Sequence, residues 1–350
     1  MNPQMTIAGR AIGTGLPTYV IAEISANHHQ SPDKFERLIK AAIAAGADAV
    51  KLQTYTADTI TRDSDNPDFR ISSGTLWDGT TLHKLYRTAF TPWEWHADAA
   101  RWSADAGCHF FSSPFDHTAV DFLETLDVPA YKIASFELVD LPLIRRCAAT
   151  GKPLILSTGM ASLAEIDEAV ATARAAGATE LALLKTNSGY PAPPAEMNLR
   201  TIAHLSEAFN LPVGLSDHTL GYAVPVAAVA LGACIVEKHI CLDRNDPGPD
   251  SAFSLEPAEF AAMVEAIRIA EQAVGTVSYA VTPKQATSRP YRRSLYVVAD
   301  IAAGELLTPA NVRSIRPGFG LHTRHLEQVL GRPAASAIAR GTALRWEHVG

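Results

Sequence analysis

The stretch YVIAEISANHHQSPDKFERLIKAAIAAGADAVKLQ, residues 19–53, carries the pattern that decides the fold. YVIAEIS (19–25) is short, apolar and partly β-branched, as a strand covered on both faces should be. PDKFERLIKAAIAAGA follows, with apolar residues at helical spacing, polar residues near its start and Gly46 at its close. AVKLQ (49–53) then reads as a second buried strand. Outward from here the alternation recurs. Strands are expected at HFFSS (109–113), YKIAS (131–135), LILST (154–158), LALLK (181–185), VGLS (213–216) and CIVEKH (234–239), with helical segments such as SLAEIDEAVATARAAGA between them. Eight strand–helix units point to an α/β fold, a (β/α)8 TIM barrel. A doubly wound open sheet is the rival architecture. Its dinucleotide-binding form would carry GxGxxG after the first strand, and that motif is absent here.

The chain has 350 residues, 47% hydrophobic and 19% charged, a balance that excludes a disordered chain. No apolar run approaches the roughly 18 residues of a membrane span. The start, MNPQMTIAGR, lacks the features of a secretory signal, and the four cysteines (Cys108, Cys147, Cys234, Cys241) form no CxxC pair. A reducing cytoplasm is therefore expected. The net charge of −7 gives no general attraction to nucleic acid. Residues 63–95 make an unusually long connection, rich in turn formers and aromatics, and are expected to form an ordered loop with short helices over one barrel mouth. After residue 275 the periodicity stops. The expected domains are a barrel over 1–280, a linker over 281–292 and a small β-rich unit over 293–350 with little core of its own.

Parallel barrels place their active sites at the C-terminal ends of the strands. That rule gathers Glu23 and Ser25 from strand one, Lys51 and Gln53 from strand two, and Ser112 and Ser113 from strand three. Lys132, Ser135 and Glu137 come from strand four, Ser157 and Thr158 from strand five, and Lys185, with Tyr190 beyond it, from strand six. Strands seven and eight add Ser216, Asp217, His218, Glu237, Lys238 and His239. Two lysines among serine hydroxyls suit a phosphate or carboxylate. The competing reading pairs those lysines with barrel glutamates. His218 and His239 end adjacent strands, about 4.8 Å apart, so both imidazoles can reach one ion of the Mn, Fe, Co or Zn type. A metal-dependent aldolase and a non-catalytic carbohydrate-binding barrel are the competing functions.

In their order, IAEISANH (21–28), KLQTYT (51–56), FFSSPFD (110–116), PAYKIAS (129–135), PLILSTGM (153–160), VGLSDHT (213–219), ALGACIVEKH (230–239) and GPDSAFSLEP (248–257) make the chain resemble the sialic acid synthase family. VVADIAAGELLTPANVRSIRPGFG (297–320) resembles that family's antifreeze-like (SAF) domain. The resemblance implies condensation of phosphoenolpyruvate with an amino sugar to give a nonulosonic acid. AEISANH, GTLWDGTTL, LYRTAFTPWEW and SFELVDLPLI point to the branch that uses 2,4-diacetamido-2,4,6-trideoxy-altrose, with the neuraminate- and legionaminate-forming branches as alternatives. It also implies roles. Glu23, Lys51, Lys132 and Glu137 would be catalytic. Lys51, Ser113, Lys132, Ser135, Ser157, Ser188 and Ser216 would hold phosphoenolpyruvate. Gln53, Tyr190 and Asp250 would surround the sugar. His218 and His239 would bind a divalent metal (Mn, Mg or Co). Arg316 would reach the sugar from the partner subunit, which implies a domain-swapped homodimer. Trp77, Trp93 and Trp95 would give a less polar sugar apolar cover. His29, Thr186 and Asn187 depart from the family pattern and bear on sugar choice.

Overall fold

The computed structural model describes residues 3–72, 74, 76–246 and 248–350. It divides into two compact units, one ending at Gly275 and the other spanning Thr276–Gly350.

The first unit opens with an antiparallel hairpin, β1 (Gln4–Ile7) and β2 (Arg10–Gly13). Its two-residue turn, Ala8–Gly9, has positive φ at both positions, the geometry that matches strand twist in a tight hairpin. This hairpin lies outside the expected elements. Met5, Ile7 and Ile12 are buried in the barrel's core cluster. Thr6 N–H donates to Glu180, which immediately precedes β8, so the hairpin sits over the N-terminal end of the barrel.

All eight expected strands form: β3 (Tyr19–Glu23), β4 (Ala49–Thr54), β5 (His109–Pro114), β6 (Tyr131–Ile133), β7 (Leu154–Ser157), β8 (Leu181–Thr186), β9 (Val213–Asp217) and β10 (Ile235–His239). They are parallel and close as β10-β3-β4-β5-β6-β7-β8-β9. Two C-terminal ends stop two residues short of expectation, and β7 stops one short, at Ser157. β3 stops at Glu23 because the chain turns through a left-handed Ser25, and β6 stops at Ile133 because Ser135–Glu137 winds into a 3-10 turn. The outer helices begin where capping chemistry dictates. Ser31 caps Pro32–Ala44, and Ser162 with Glu165 closes a reciprocal capping box on Leu163–Ala175. In the long connection after β4, the described residues form helices Ala57–Ile60 and Leu82–Ala89 and two short 3-10 turns. Ser73 and Thr75 lie outside the described residues.

The second unit pairs β11 (Ser294–Val297) with β12 (Val312–Ile315), antiparallel, over a core built around Leu295, Val297, Ile301, Leu307, Val312 and Leu344. Residues 272–293, which precede β11, are exposed throughout.

His28 and His96 are two buried histidines of the barrel unit. His28 packs on Phe35 and Trp95, and His96 Nε2 lies 2.8 Å from Thr54 Oγ1. Burial pushes both down to about 4. An unfolded histidine titrates near 6.5, so the stability these rings permit is present above that pH and is lost as pH falls toward 4. Between about pH 7 and 5, wild-type protein should lose about 1.5–2 kcal/mol more stability than His96→Gln. Urea unfolding at each pH checks this, and parallel profiles for the two proteins would contradict it.

Candidate active site

The C-terminal mouth of the barrel opens on a cavity of about 410 Å³. Parallel register sets its floor. Glu23 on β3 pairs with Lys51 on β4 and with His239 on β10, while Glu237 on β10 pairs with Ser216 on β9. Because strand side chains alternate, Glu237 and His239 point inward while Lys238 points out. Lys238 there makes a fully buried ion pair with Asp217 at 2.6 Å. That pair ties together the two residues preceding each strand-end histidine on the sheet's outer face.

Inside, the two lysines are partnered by glutamates. Lys51 Nζ contacts Glu23 Oε2 and lies 3.7 Å from Glu237 Oε1, while Lys132 Nζ lies 2.9 Å from that same oxygen. Lys51 also donates to Ser113 Oγ at 3.2 Å, and Ser216 Oγ donates to Glu237 at 3.1 Å. The electrostatics are asymmetric. Burial opposes charge on Glu237, but Lys132 and Lys51 outweigh it and hold its carboxyl below the usual range. For Glu23, burial wins over Lys51 and raises it. Lys132 is lowered because burial exceeds the pull of Glu237, whereas Lys51, touching both carboxylates, is raised despite burial. Glu137 lines the rim, with one carboxyl oxygen enclosed and unpartnered, and burial lifts it to about 7 against Lys132.

His218 and His239 face each other, ring centroids 5.3 Å apart, with Tyr190 and Phe253 packed on them. His218 Nδ1 lies 2.8 Å from the Asn187 carbonyl, which leaves Nε2 for the cavity; His239 Nδ1 has no partner. Burial lowers both rings, to about 4 for His218 and well below its usual value for His239, so both are neutral lone-pair donors near pH 7.

Among the sequence-selected residues, Glu23, Lys51, Gln53, Ser113, Lys132, Ser135, Glu137, Tyr190, Ser216, His218, His239 and Asp250 line this one cavity. Ser157 is fully buried and its hydroxyl has no partner. Ser188 and Ser135 converge on Gly159, where a Cβ would collide with both hydroxyls, and Gly159 N–H points at Ser135 Oγ at 3.2 Å. Arg316 is exposed on the second unit, just after β12. Of the tryptophans, Trp77 lines the cavity. Trp93 and Trp95 do not: Trp93 stacks on Phe122 and Trp95 packs on Phe35 and His28, so packing accounts for both. All four cysteines are buried free thiols, each pushed up to about 12 by burial. Sequence reasoning missed Glu237 as a working residue. Strict alternation along EKH, which puts Glu237 on the same face as His239, was the available signal. It also missed Gly159, whose role depends on two hydroxyls distant in sequence.

The NeuB family profile matches residues 38–279, and the SAF domain profile matches 292–350. The chain belongs to the NeuB family. Among its relatives, a pseudaminic acid synthase from Campylobacter jejuni is 45% identical over 332 residues, 95% of this chain and 96% of that protein. An N,N'-diacetyllegionaminic acid synthase from Legionella pneumophila is 33% identical over 343 residues, 96% of each. Among solved structures, the spore coat polysaccharide biosynthesis protein spsE of Bacillus subtilis superposes with a TM-score of 0.67 at 33% identity, covering 99% of both chains. This NeuB barrel thus carries a cavity of buried, mutually neutralised charge beside a pair of neutral imidazoles.

Among the described residues, Glu237 is the one carboxylate that makes an ion pair with both lysines. Glu237→Gln leaves Lys51 and Lys132 with Glu23 alone and should cost about 2–4 kcal/mol of stability. Chemical denaturation checks this; a loss below about 1 kcal/mol would show that cavity water already screens the lysines.

Proposed function

We propose that the chain condenses phosphoenolpyruvate with 2,4-diacetamido-2,4,6-trideoxy-altrose, releasing phosphate and a nonulosonic acid, the reaction of a pseudaminic acid synthase. The observation that carries this reading is the Lys51–Glu237–Lys132 group beside the His218–His239 pair, in a chain 45% identical to such a synthase. Lys51 and Lys132 offer the positive charge that a phosphorylated carboxylate requires. Ser113, Ser135, Ser188, Ser216 and the Gly159 N–H offer short donors around it. Ser157 completes the set in the family resemblance. The opposite wall is apolar, built from Ile60, Ile71, Trp77, Leu82 and Leu85. That surface favours a deoxy, N-acylated sugar over one with a hydroxylated tail.

The atoms balance as follows. Carbon 3 of phosphoenolpyruvate attacks the aldehyde carbon of the open-chain sugar, and the aldehyde oxygen takes a proton to become a hydroxyl. Water adds at carbon 2, giving up a proton. The carbon–oxygen bond to phosphate then breaks, and carbon 2 becomes the ketone. Glu137, at about 7, can exchange a proton near neutral pH, and burial also raises Glu23 beside Lys51. Lys51 and Lys132 hold the developing and departing negative charge. Two neutral imidazoles on one cavity wall, one with an unpartnered Nδ1, fit a divalent cation, with remaining positions left to water and substrate oxygens. Bound between His218 and His239, such an ion would polarise the sugar's aldehyde. No group of three or more His, Cys, Asp or Glu side chains able to hold an ion occurs among the described residues, so these two histidines carry the assignment.

The same reading makes the enzyme a homodimer in which each SAF domain, joined by the exposed segment 272–293, covers the partner's barrel mouth and brings Arg316 to the sugar. Cytoplasmic placement accords with four reduced, buried thiols; no helix among the described residues is long and apolar enough to cross a membrane.

Phosphate release and product mass should be measured with phosphoenolpyruvate and a panel of amino sugars. The expected product forms with the 6-deoxy diacetamido sugar and is lost in Lys132→Ala. Preferred use of N-acetylmannosamine or of the legionaminate precursor would move the assignment to those branches, and no phosphate release with any sugar would overturn it. The dimer reading has its own check. Arg316→Ala should raise the KM for sugar about 10-fold or more with little change for phosphoenolpyruvate. Mixed with inactive His218→Ala subunits, it should regain activity through dimers holding one intact site. Confirmed subunit exchange without regained activity would place Arg316 in its own subunit's site or outside the chemistry.

A further inference from the structure

Ser25 stands in a backbone conformation that serine does not favour. Its φ is +46°, the left-handed region where a Cβ crowds the following carbonyl and glycine is the usual occupant. It is buried and lines the active-site cavity. A residue held against its own preference in the wall of a site persists because the surroundings over-determine it. Here the surroundings are four hydrogen bonds, three of them made by Ser25. Ser25 N–H donates to Glu23 Oε1 at 3.1 Å. Gln53 Nε2 donates to Ser25 Oγ at 3.0 Å and also to Glu23 Oε1 at 3.1 Å. Ser25 Oγ in turn donates to Asp250 Oδ2.

These bonds close a ring of Glu23, Gln53 and Ser25 in the cavity lining, with Asp250 attached to it through Ser25 Oγ. Asp250 reaches it from the far side of β10, 225 residues away in sequence, and among the described residues no cation pairs with it. Asp250 accepts from Ser25 Oγ and from the Ala26 N–H, and a carboxylate has about four acceptor sites, so capacity remains for a ligand's donors. The donors that an acylated amino sugar presents are amide N–H and hydroxyl groups. Among the described residues, the Ser25 hydroxyl is the side-chain group, and the Ala26 N–H the backbone group, that fix where that carboxylate points. It simultaneously fixes Gln53, which presents an amide of its own. The left-handed turn is what makes this possible, because it folds the chain back so that N–H and Oγ of one residue address two different carboxylates.

We propose that Ser25 is a positioning residue for the amino sugar: its hydroxyl aims Asp250 and Gln53 at the acylated sugar, and the left-handed backbone is the cost of placing that hydroxyl there. This rests on the reading of the cavity as an amino-sugar site. It separates two properties that usually move together. Glycine suits the backbone but has no hydroxyl, and alanine has neither advantage.

The test compares Ser25→Gly with Ser25→Ala, using the full chain, phosphoenolpyruvate and 2,4-diacetamido-2,4,6-trideoxy-altrose. Both variants should lose about 10- to 100-fold in kcat/KM for the sugar, as expected for a hydrogen bond to a charged group, while the KM for phosphoenolpyruvate stays within about twofold. Their thermal stabilities should diverge, with the glycine variant close to wild type and the alanine variant lower by a few degrees, on the order of 2–4 °C. Kinetic loss that instead follows stability, with glycine active and alanine impaired, would show that the backbone alone matters and overturn the proposal. Unchanged sugar kinetics in both variants would overturn it too, as would equal losses for both substrates. Wild-type turnover is measured first. Its absence overturns the parent assignment along with this one, whereas active wild type with indifferent variants overturns only the role of Ser25.

Discussion

Four ionisable side chains enclosed in a barrel of strands three to six residues long set the terms for everything around them. Lys51, Glu23, Glu237 and Lys132 sum to zero charge, and that neutrality is what allows them to remain out of water. Any one of them alone would be intolerable there. Together they hold a site whose cations are pre-placed but occupied by internal anions. On the proposed reading, an anionic substrate would compete for that positive field. A carboxylate it displaced from the lysines would be buried without its cation, and so would become a better proton acceptor. Binding and acid–base readiness are thereby linked through a shared pair of ammonium groups.

Legibility in the sequence followed the same physics. The eight strands were readable because burial on both faces removes polar residues, and the polar exceptions at their C-terminal ends then stood out. Glu23, Lys51, Lys132, His218 and His239 were visible for that reason. What escaped were features decided by neighbours far away in the chain. Ala8 and Gly9 form a hairpin turn because both take positive φ, yet Ala8 does not announce it. Glu237 looked like one more strand-end charge until its partners were known. Trp93 and Trp95 looked like possible cavity walls, but the side of the 3-10 turn they occupy directs them onto Phe122 and Phe35. Asp250 could be drawn in only through family resemblance, because no local pattern links it to Ser25.

A second pair of charges reinforces the first from outside. Asp217 and Lys238 are sequence neighbours of His218 and His239, and their ion pair is fully enclosed between the sheet and its helices. The inner face of β9 and β10 therefore cannot shift register without breaking an outer-face contact in a medium where breaking it is expensive. The spacing of the two imidazoles is held from behind by residues that never meet a substrate.

The amino-terminal hairpin has a consequence for traffic. With Met5, Ile7 and Ile12 packed over one end of the barrel, the site is a cup with a single lip, not a tunnel. Its contents must queue. On the proposed reading, a molecule seated on the lysine floor would enter before whatever rests against the apolar residues above it, an order set by the shape of the vessel without a moving gate.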